Sequence, residues 1–148
     1  MELEFKPVVA GDIDRLRPFY GLRPNKTCDS VFLDSFLWKD YYHVQCAVSE
    51  GRAVLWLMEK DGQVSTAMPL CREEDLPYFF QQMVDYFSGV LHKPFYISLA
   101  DEEAVQCLNL DPALFEVEEQ VDLKDYLYSG EELRKLEGKK FVKKRNHL

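Results

Sequence analysis

The residues best suited to chemistry lie at the end of the chain, in a stretch dense in basic side chains. Its candidate substrate- or phosphate-binding residues are Lys139, Lys140, Lys143, Lys144, Arg145, Asn146 and His147. On a helix, Lys139 and Lys143 share one face with Asn146. Ammonium and guanidinium groups on such a surface suit the phosphates of tRNA, a nucleotide or a lipid head group. A solvated helix that carries surplus lysines fits the same composition equally well.

A second candidate site is the densest aromatic cluster of the chain. Its candidate groove residues are Phe32, Phe36, Trp38 and Tyr41, with Tyr42 next to them. Such rings line a groove for a lipid, a peptide or a base, or they pack into the core. The sequence favours the core, because aromatic side chains dominate protein interiors by buried area.

No catalytic motif accompanies these candidates. The sequence contains no G-x-S-x-G, P-loop, H-E-x-x-H or G-x-G-x-x-G pattern. The histidines His43, His92 and His147 have no acidic partner at a catalytic spacing, which favours surface or capping roles. Four cysteines lie far apart without C-x-x-C pairing, which predicts structural thiols and no metal site: Cys28, Cys46, Cys71 and Cys107. The sequence therefore assigns no catalytic residue.

The charge of the chain is divided unevenly along its length. The net charge is −8, but residues 134–148 contain seven basic residues and one acidic residue, which leaves −14 on residues 1–133. An acidic body repels nucleic acid and anionic lipid, so a polyanion would have to contact the basic end. No apolar run reaches the roughly 18–20 residues that cross a bilayer, and no signal peptide is present. We therefore expect a cytoplasmic protein.

The elements that must position these residues follow from hydrophobic periodicity. Alternation over 44–49, an apolar run over 53–59, a hairpin turn at Asp61-Gly62 and alternation over 64–68 predict a three-stranded antiparallel meander. A continuous apolar stripe predicts a long helix over 76–91, capped by Asp75, that buries against the sheet. The remaining segments predict strands at 2–6, 95–99, 115–121 and 126–128 and helices starting near Asp12, Asp29 or Ser30, Asp101 and Ser129. The fold class is α/β, or α+β, with a mixed sheet.

The basic stretch also carries a family resemblance. The segment Leu136–Leu148, preceded by Tyr126-Leu127-Tyr128, resembles the signature of a bacterial family in the phosphatidylglycerol lysyltransferase C-terminal domain group. The stretch from Thr27 through Phe36 and Trp38 is similar to an early segment of that family. The resemblance covers nearly the whole chain.

The resemblance implies two acetyltransferase-like lobes in tandem. Residues 1–137 would form an N-terminal lobe of the acyl-CoA N-acyltransferase (GNAT-like) type, with a mixed, mainly antiparallel sheet flanked by helices. Residues 138–148 would begin a basic helix that leads to a second lobe beyond this chain. On that helix Phe141, Arg145 and Leu148 share an apolar side, which predicts an interrupted helix.

The resemblance further implies the N-terminal lobe of an aminoacyl- or acyltransferase that is inactive by itself. Acetyltransferase lobes that bind acyl-CoA carry a Gln/Arg-x-x-Gly-x-Gly/Ala loop, which this sequence lacks. We therefore expect no cofactor in this lobe, and an acyl-CoA or aminoacyl-tRNA donor for the full-length protein. The expected partners are the second lobe and tRNA or another phosphate-bearing substrate. The alternative is a non-catalytic binding or regulatory module that uses the aromatic cluster or the basic helix.

Overall fold

The computed structural model describes residues 3–23, 27, 31–98, 100–125 and 127–145. The chain divides into two units, Met1–Val117 and Glu118–Leu148. Among the described residues, no helix is both long and apolar enough to cross a membrane.

The first unit is built around a four-stranded sheet in which consecutive strands pair antiparallel. The strands are β1 (Lys6–Pro7), β2 (Gln45–Ser49), β3 (Ala53–Lys60) and β4 (Gln63–Ser65). An isolated parallel bridge joins Thr66 to Ile97, and an antiparallel one joins Val54 to Leu70. The predicted mixed, mainly antiparallel sheet is therefore confirmed, and β2–β4 form the predicted meander.

The turn between β3 and β4 has the backbone that its sequence predicts. Asp61 and Gly62 connect the paired residues Lys60 and Gln63, and both have positive φ, at 52° and 81°. Two-residue hairpin loops of this kind match the right-handed twist of the strands, and aspartate followed by glycine tolerates positive φ.

Helical segments account for most of the remaining structure. In the first unit they are 3-10 turns at Ala10–Asp12 and Glu73–Asp75 and the helices α1 (Ile13–Tyr20), α2 (Phe32–Leu37), α3 (Leu76–Tyr86) and α4 (Glu102–Leu108). Helix α3 continues as a π-helical segment, Phe87–Leu91. In the second unit they are 3-10 turns at Val121–Leu123 and Lys139–Phe141 and the helices α5 (Gly130–Lys135) and α6 (Val142–Arg145).

Strand β3 divides the core into two clusters. Ala53 and Leu55 lie in a cluster with the buried residues of α3, whereas Val54 and Trp56 lie in a cluster with Leu16 of α1 and residues of α2. Successive side chains of a strand point to opposite faces, so one strand supplies both clusters. The sheet is therefore covered by helices on both faces, in agreement with the predicted α/β class.

Helix α3 buries the stripe that its sequence predicts. The buried members are Leu76, Phe79, Phe80, Met83 and Phe87. This spacing places them on one side of the helix, facing Ala53 and Leu55 of β3. The prediction of a long helix over 76–91 that packs on the meander is confirmed.

Two predicted strands, at 95–99 and 115–121, do not form among the described residues. Ile97 makes a single bridge, and 115–120 have no regular structure. Their apolar residues pack as side chains: the rings of Phe95 and Phe115 lie 5.2 and 5.5 Å from that of Phe80. The alternating apolar residues of these two segments are therefore buried mainly by packing their side chains on α3. Apart from the bridge at Ile97, the described backbone of these segments does not pair as a strand. Leu127 and Tyr128 also lie outside any strand, and Tyr126 lies outside the described residues.

The predicted N-terminal strand is shorter than expected. The prediction spanned 2–6, whereas β1 contains only Lys6 and Pro7. Leu3 and Phe5 instead pack against the α3 cluster through their side chains, and Phe5 contacts Tyr86 at a centroid distance of 5.1 Å. The alternating pattern again marks side-chain burial more faithfully than backbone pairing.

The predicted helix caps divide into two groups. The side chains of Asp101 and Ser129 accept hydrogen bonds from the third residue of α4 and α5, as predicted. Asp12 and Asp75 make no capping bond, because other donors engage their carboxylates. Asp12 accepts from the Val9 amide at 2.9 Å, and Asp75 accepts from Arg52. The predicted caps Asp29 and Ser30 lie outside the described residues.

A buried ion pair fixes the start of α4. Arg23 Nη1 lies 3.1 Å from Asp101 Oδ1, and the two side chains are only 8% and 9% exposed. Asp101 also accepts the Ala104 amide at 2.8 Å, so one carboxylate serves both the cap and the pair. Within the described structure the Arg23 Nε has no hydrogen-bond partner. The pair joins residues that are 78 positions apart in the chain. Removing both charged groups from water has a desolvation cost that their attraction must offset.

Replacing Phe80 or Phe87 with alanine is expected to lower the free energy of unfolding by about 3–5 kcal/mol, because each ring is buried and leaves a cavity. Urea unfolding followed by circular dichroism measures the loss. Val90→Ala on the same helix is the control: Val90 is 62% exposed, and its change should stay within about 0.5 kcal/mol. If the phenylalanine variants had the same urea midpoint of unfolding as the native chain, the assigned core would be contradicted.

Replacing Asp101 with alanine is expected to cost about 3–5 kcal/mol, because the Arg23 guanidinium is left buried without its counter-charge. Asp101→Asn retains an oxygen for the helix cap and tests the charge separately. The control is Glu4→Gln, which removes an exposed pair with Lys6 and should cost less than about 1 kcal/mol. Equal stabilities for the Asp101 and Glu4 variants in urea would show that the buried pair is not stabilising α4.

Candidate functional site

The four candidate groove residues separate into two environments. Phe32 is 9% exposed and Phe36 is partly buried, and both belong to the core cluster of Val54 and Trp56. Their rings stack at a centroid distance of 6.2 Å. Trp38 and Tyr41, by contrast, are 48% and 51% exposed. The structure thus brings Trp38 and Tyr41 together on the surface and places the two phenylalanines beneath.

The exposed rings form a compact group with one further tyrosine. Tyr42 is 37% exposed, and its ring centroid lies 4.7 Å from that of Tyr41 and 5.8 Å from that of Trp38. The Trp38 and Tyr41 centroids lie 5.7 Å apart. All three rings are inclined to one another, at 55–89°, which is the edge-to-face geometry that ring quadrupoles favour.

A lysine ammonium lies over these rings. Lys60 Nζ is 3.9 Å from the centroid of Tyr41 and 5.7 Å from that of Tyr42. It also donates a hydrogen bond to the Tyr41 hydroxyl, which raises the pKa of Lys60. We call Trp38, Tyr41, Tyr42 and Lys60 the aromatic–lysine cluster. At neutral pH it contains a positive charge held against ring faces.

Backbone hydrogen bonds hold the cluster in place at the end of the sheet. The amides of Tyr41 and Tyr42 donate to the carbonyl of Trp38 at 3.1 and 3.0 Å, which folds the chain back after α2. The Tyr42 carbonyl accepts from the Glu59 amide at 2.8 Å. This bond departs by one residue from the register of β2 with β3, in which Gln45 faces Leu57, and it brings Tyr42 next to Lys60.

Sequence reasoning missed Lys60. It lies eighteen residues after Tyr42, in a segment whose only pattern is that of a strand end. The signal that identifies it is the strand register, because the pairing of Gln45 with Leu57 brings the residues just before β2 beside the end of β3. The meander was predicted from sequence, but its register was not.

The basic stretch forms two short helical turns. Gly138 precedes it with a φ of 86°, a 3-10 turn covers Lys139–Phe141, and α6 covers Val142–Arg145. The Lys139 and Lys143 side chains are exposed.

The apolar side of the basic stretch is only partly covered. Phe141 is 4% exposed, whereas Val142 is 42% exposed. The side chains of Lys140, Lys144 and Arg145, and the whole of Asn146, His147 and Leu148, lie outside the described residues. The phosphate site and the interrupted helix therefore stay predictions.

Two of the described cysteines, Cys46 and Cys71, are poor nucleophiles. Burial raises the pKa of Cys46, and burial raises that of Cys71 to about 11. A thiol must ionise to react, so both remain protonated at neutral pH. Cys107 is partly buried, and its Sγ lies 3.9 Å from the Glu73 carbonyl. Cys28 lies outside the described residues.

Neither His43 nor His92 pairs with an acidic side chain in the part of the chain that the structure describes. His43 is exposed in the turn before β2. His92 ends the π-helical segment, and its Nδ1 lies 3.0 Å from the Ser88 carbonyl. In the part of the chain that the structure describes, no three His, Cys, Asp or Glu side chains are grouped to hold a metal ion.

Comparison with known proteins gives a single positive result. A search of curated proteins and a search of solved structures found no match. A family model described as phosphatidylglycerol lysyltransferase, C-terminal, matches residues 21–148. The match covers most of the chain and includes both the aromatic residues after α2 and the basic stretch. The chain therefore belongs to the phosphatidylglycerol lysyltransferase C-terminal family.

Proposed function

We propose that this chain is the N-terminal lobe of an aminoacyl- or acyltransferase whose transfer site is completed by a second lobe. The observation that carries the proposal is the family match over residues 21–148. In this proposal residues 1–137 form the lobe and residues 138–148 begin the helix that joins it to the second lobe. The lobe shapes the substrate channel and supplies binding energy, while the bond-making groups lie on its partner.

The basic stretch is the proposed phosphate contact. Lys139 and Lys143 are exposed, and the buried Phe141 between them anchors the backbone that carries them. The rest of the chain is strongly acidic, so a phosphate-bearing substrate is directed to this end by the field of the protein. Lys140, Lys144, Arg145, Asn146 and His147 complete the proposed site.

The proposed donor is an aminoacyl-tRNA. The chain lacks the glycine-containing loop with which acetyltransferase lobes bind the pyrophosphate of acyl-CoA, whereas a tRNA backbone needs only spaced cations. The proposed acceptor is a lipid head group or a peptide amine. A cytoplasmic location is part of this proposal, because aminoacyl-tRNA is made and used there.

A non-catalytic binding module is the second candidate function. The observation that favours it is the solvent exposure of Trp38, Tyr41 and Tyr42, since three contacting rings on a surface are typical of a recognition site. A binding module would use this surface without any transfer step. The two candidates differ in whether a longer chain that includes a second lobe turns over substrate.

The phosphate contact is tested by tRNA binding at several salt concentrations. Lys139→Ala combined with Lys143→Ala is expected to weaken binding and to reduce the slope of log K against log salt by about 1.5–2, because each phosphate contact releases counterions. Fluorescence anisotropy with labelled tRNA measures both quantities.

Lys135→Ala is the matched control for this measurement. Lys135 lies close by in the chain, but its ammonium pairs with Glu131 at 2.7 Å, so its loss should leave the salt slope nearly unchanged. A double variant that binds tRNA like the native chain at every salt concentration would remove the basic stretch from the substrate site.

The need for a second lobe is tested by a transfer assay. The 148-residue chain is expected to show no transfer from aminoacyl-tRNA to phosphatidylglycerol vesicles or to peptide amines, because it lacks a candidate catalytic group. A longer chain that carries a second lobe after residue 148 is expected to show transfer. Thin-layer detection of labelled amino acid in lipid measures both.

Either of two results would contradict the proposed function. Turnover by residues 1–148 alone would show that the lobe is catalytic. Absence of transfer by the extended protein, with tRNA binding retained, would favour the binding module.

A further inference from the structure

The aromatic–lysine cluster has the geometry of a cation-binding site. A cation within about 6 Å of an aromatic centroid is attracted by the negative face of the ring. The Lys60 ammonium meets this condition for two rings, at 3.9 Å from Tyr41 and 5.7 Å from Tyr42. The ring of Trp38 contacts both tyrosines. The chain itself thus shows where an ammonium group sits among these rings.

The rings of the cluster are available to solvent. Trp38, Tyr41 and Tyr42 are 37–51% exposed, whereas the neighbouring Phe32 is buried in the core. Keeping the apolar surface of several indole and phenol rings in contact with water is unfavourable. A contiguous exposed aromatic patch therefore commonly marks a binding surface. None of the three rings belongs to either core cluster.

The charge around the cluster favours a cationic occupant. Asp40 and Asp61 flank the rings in sequence, and their side chains are 89% exposed; Asp40 pairs with Lys39, and Asp61 lies near Lys60. Glu59 is exposed beside Lys60. Residues 1–117, the first unit, carry ten basic and nineteen acidic side chains and so a net charge of −9, and the long-range field of this unit attracts cations and repels phosphates and anionic lipid surfaces. A nucleic acid or an acidic membrane is a poor match for this surface.

We propose that the aromatic–lysine cluster binds a small ligand through an alkylammonium group, and that Lys60 competes with this ligand for the ring faces. The site does not rest on the proposed transferase function, because it involves neither the basic stretch nor a second lobe. The recognised feature is a positive charge on a short apolar stem, which the Lys60 side chain already presents to the rings.

The position of Lys60 allows it to leave the rings without losing its counter-charge. Its Nζ lies 4.0 Å from Asp61 Oδ2, in the hairpin turn that follows β3. An ammonium displaced from Tyr41 therefore keeps an acidic neighbour in the exposed turn. Binding of the ligand replaces one ammonium by another at the ring faces, and affinity is then set by the difference between the two cations in that contact.

The test is a titration of the chain with n-butylammonium chloride and with tetramethylammonium chloride, followed by NMR. The indole N–H resonance of Trp38 reports on the site, and that of Trp56, which is 4% exposed, is an internal reference. Sodium chloride at equal ionic strength controls for salt. Binding is expected to be saturable, with a dissociation constant on the order of 10 mM, because the cation–π contacts are only partly desolvated.

Removing the competing lysine separates this proposal from a purely structural role for Lys60. Lys60→Met keeps a long unbranched side chain and removes the charge, and it is expected to tighten alkylammonium binding by about three- to tenfold. In the Lys60→Met background, Trp38→Ala or Tyr41→Ala should weaken binding by about threefold or more. Lys60→Gln provides a second uncharged variant if Lys60→Met does not fold.

Tyr78→Ala is the matched aromatic control. Tyr78 has the same exposure as Tyr41, at 51%, and Arg52 lies 6.0 Å from its ring, but it is not part of a three-ring group. Its loss should leave the Trp38 titration unchanged. The proposal is overturned if the folded Lys60 variants show no saturable Trp38 shift, or if sodium chloride produces the same shift as the alkylammonium salts.

Discussion

Burial of β3 on both of its faces is the constraint on which the rest of the structure depends. Residues 53–56 are at most 4% exposed, and they alternate between two separate core clusters. A strand buried on both faces requires an apolar layer on each side, which α3 supplies on one face and α1 and α2 on the other. The amphipathic stripe of α3 and the buried Leu16 of α1 are consequences of this requirement.

The candidate site lies where that two-sided burial ends. Exposure rises along β3 from Leu57 onward, and Lys60 is the last residue of the strand. The turn after α2 runs alongside this strand end and is fixed to it by the bond from Glu59 to Tyr42. Rings that follow the buried Phe32 and the partly buried Phe36 therefore emerge at the surface next to a lysine. The core positions the aromatic–lysine cluster without including it.

The two units differ in net charge. Residues 1–117 carry ten basic and nineteen acidic side chains, whereas residues 118–148 carry eight basic and seven acidic ones, with the basic side chains concentrated in the basic stretch. Cations are attracted to an acidic surface and phosphates to a basic one, so the proposed alkylammonium and phosphate sites do not compete for the same region. Family membership rests on the match over residues 21–148, which spans parts of both units.

The sequence by itself determined the elements whose signals are local. Alternation and the Asp61-Gly62 turn predicted the meander, the apolar stripe predicted α3, and Asp101 and Ser129 were identified as caps. These signals depend on neighbouring residues along the chain, so they can be recognised without a structure. The family was also evident from the basic stretch.

Only the tertiary structure decided which side chains meet. It placed Phe95 and Phe115 against Phe80 instead of in strands, and it paired Arg23 with Asp101. It also separated Phe32 and Phe36, which pack in a core cluster, from the exposed Trp38 and Tyr41, and it placed Lys60 over the ring of Tyr41. A sequence pattern cannot distinguish these neighbouring aromatic residues. Their burial and their contacts depend on the strand register and on which elements pack against each ring.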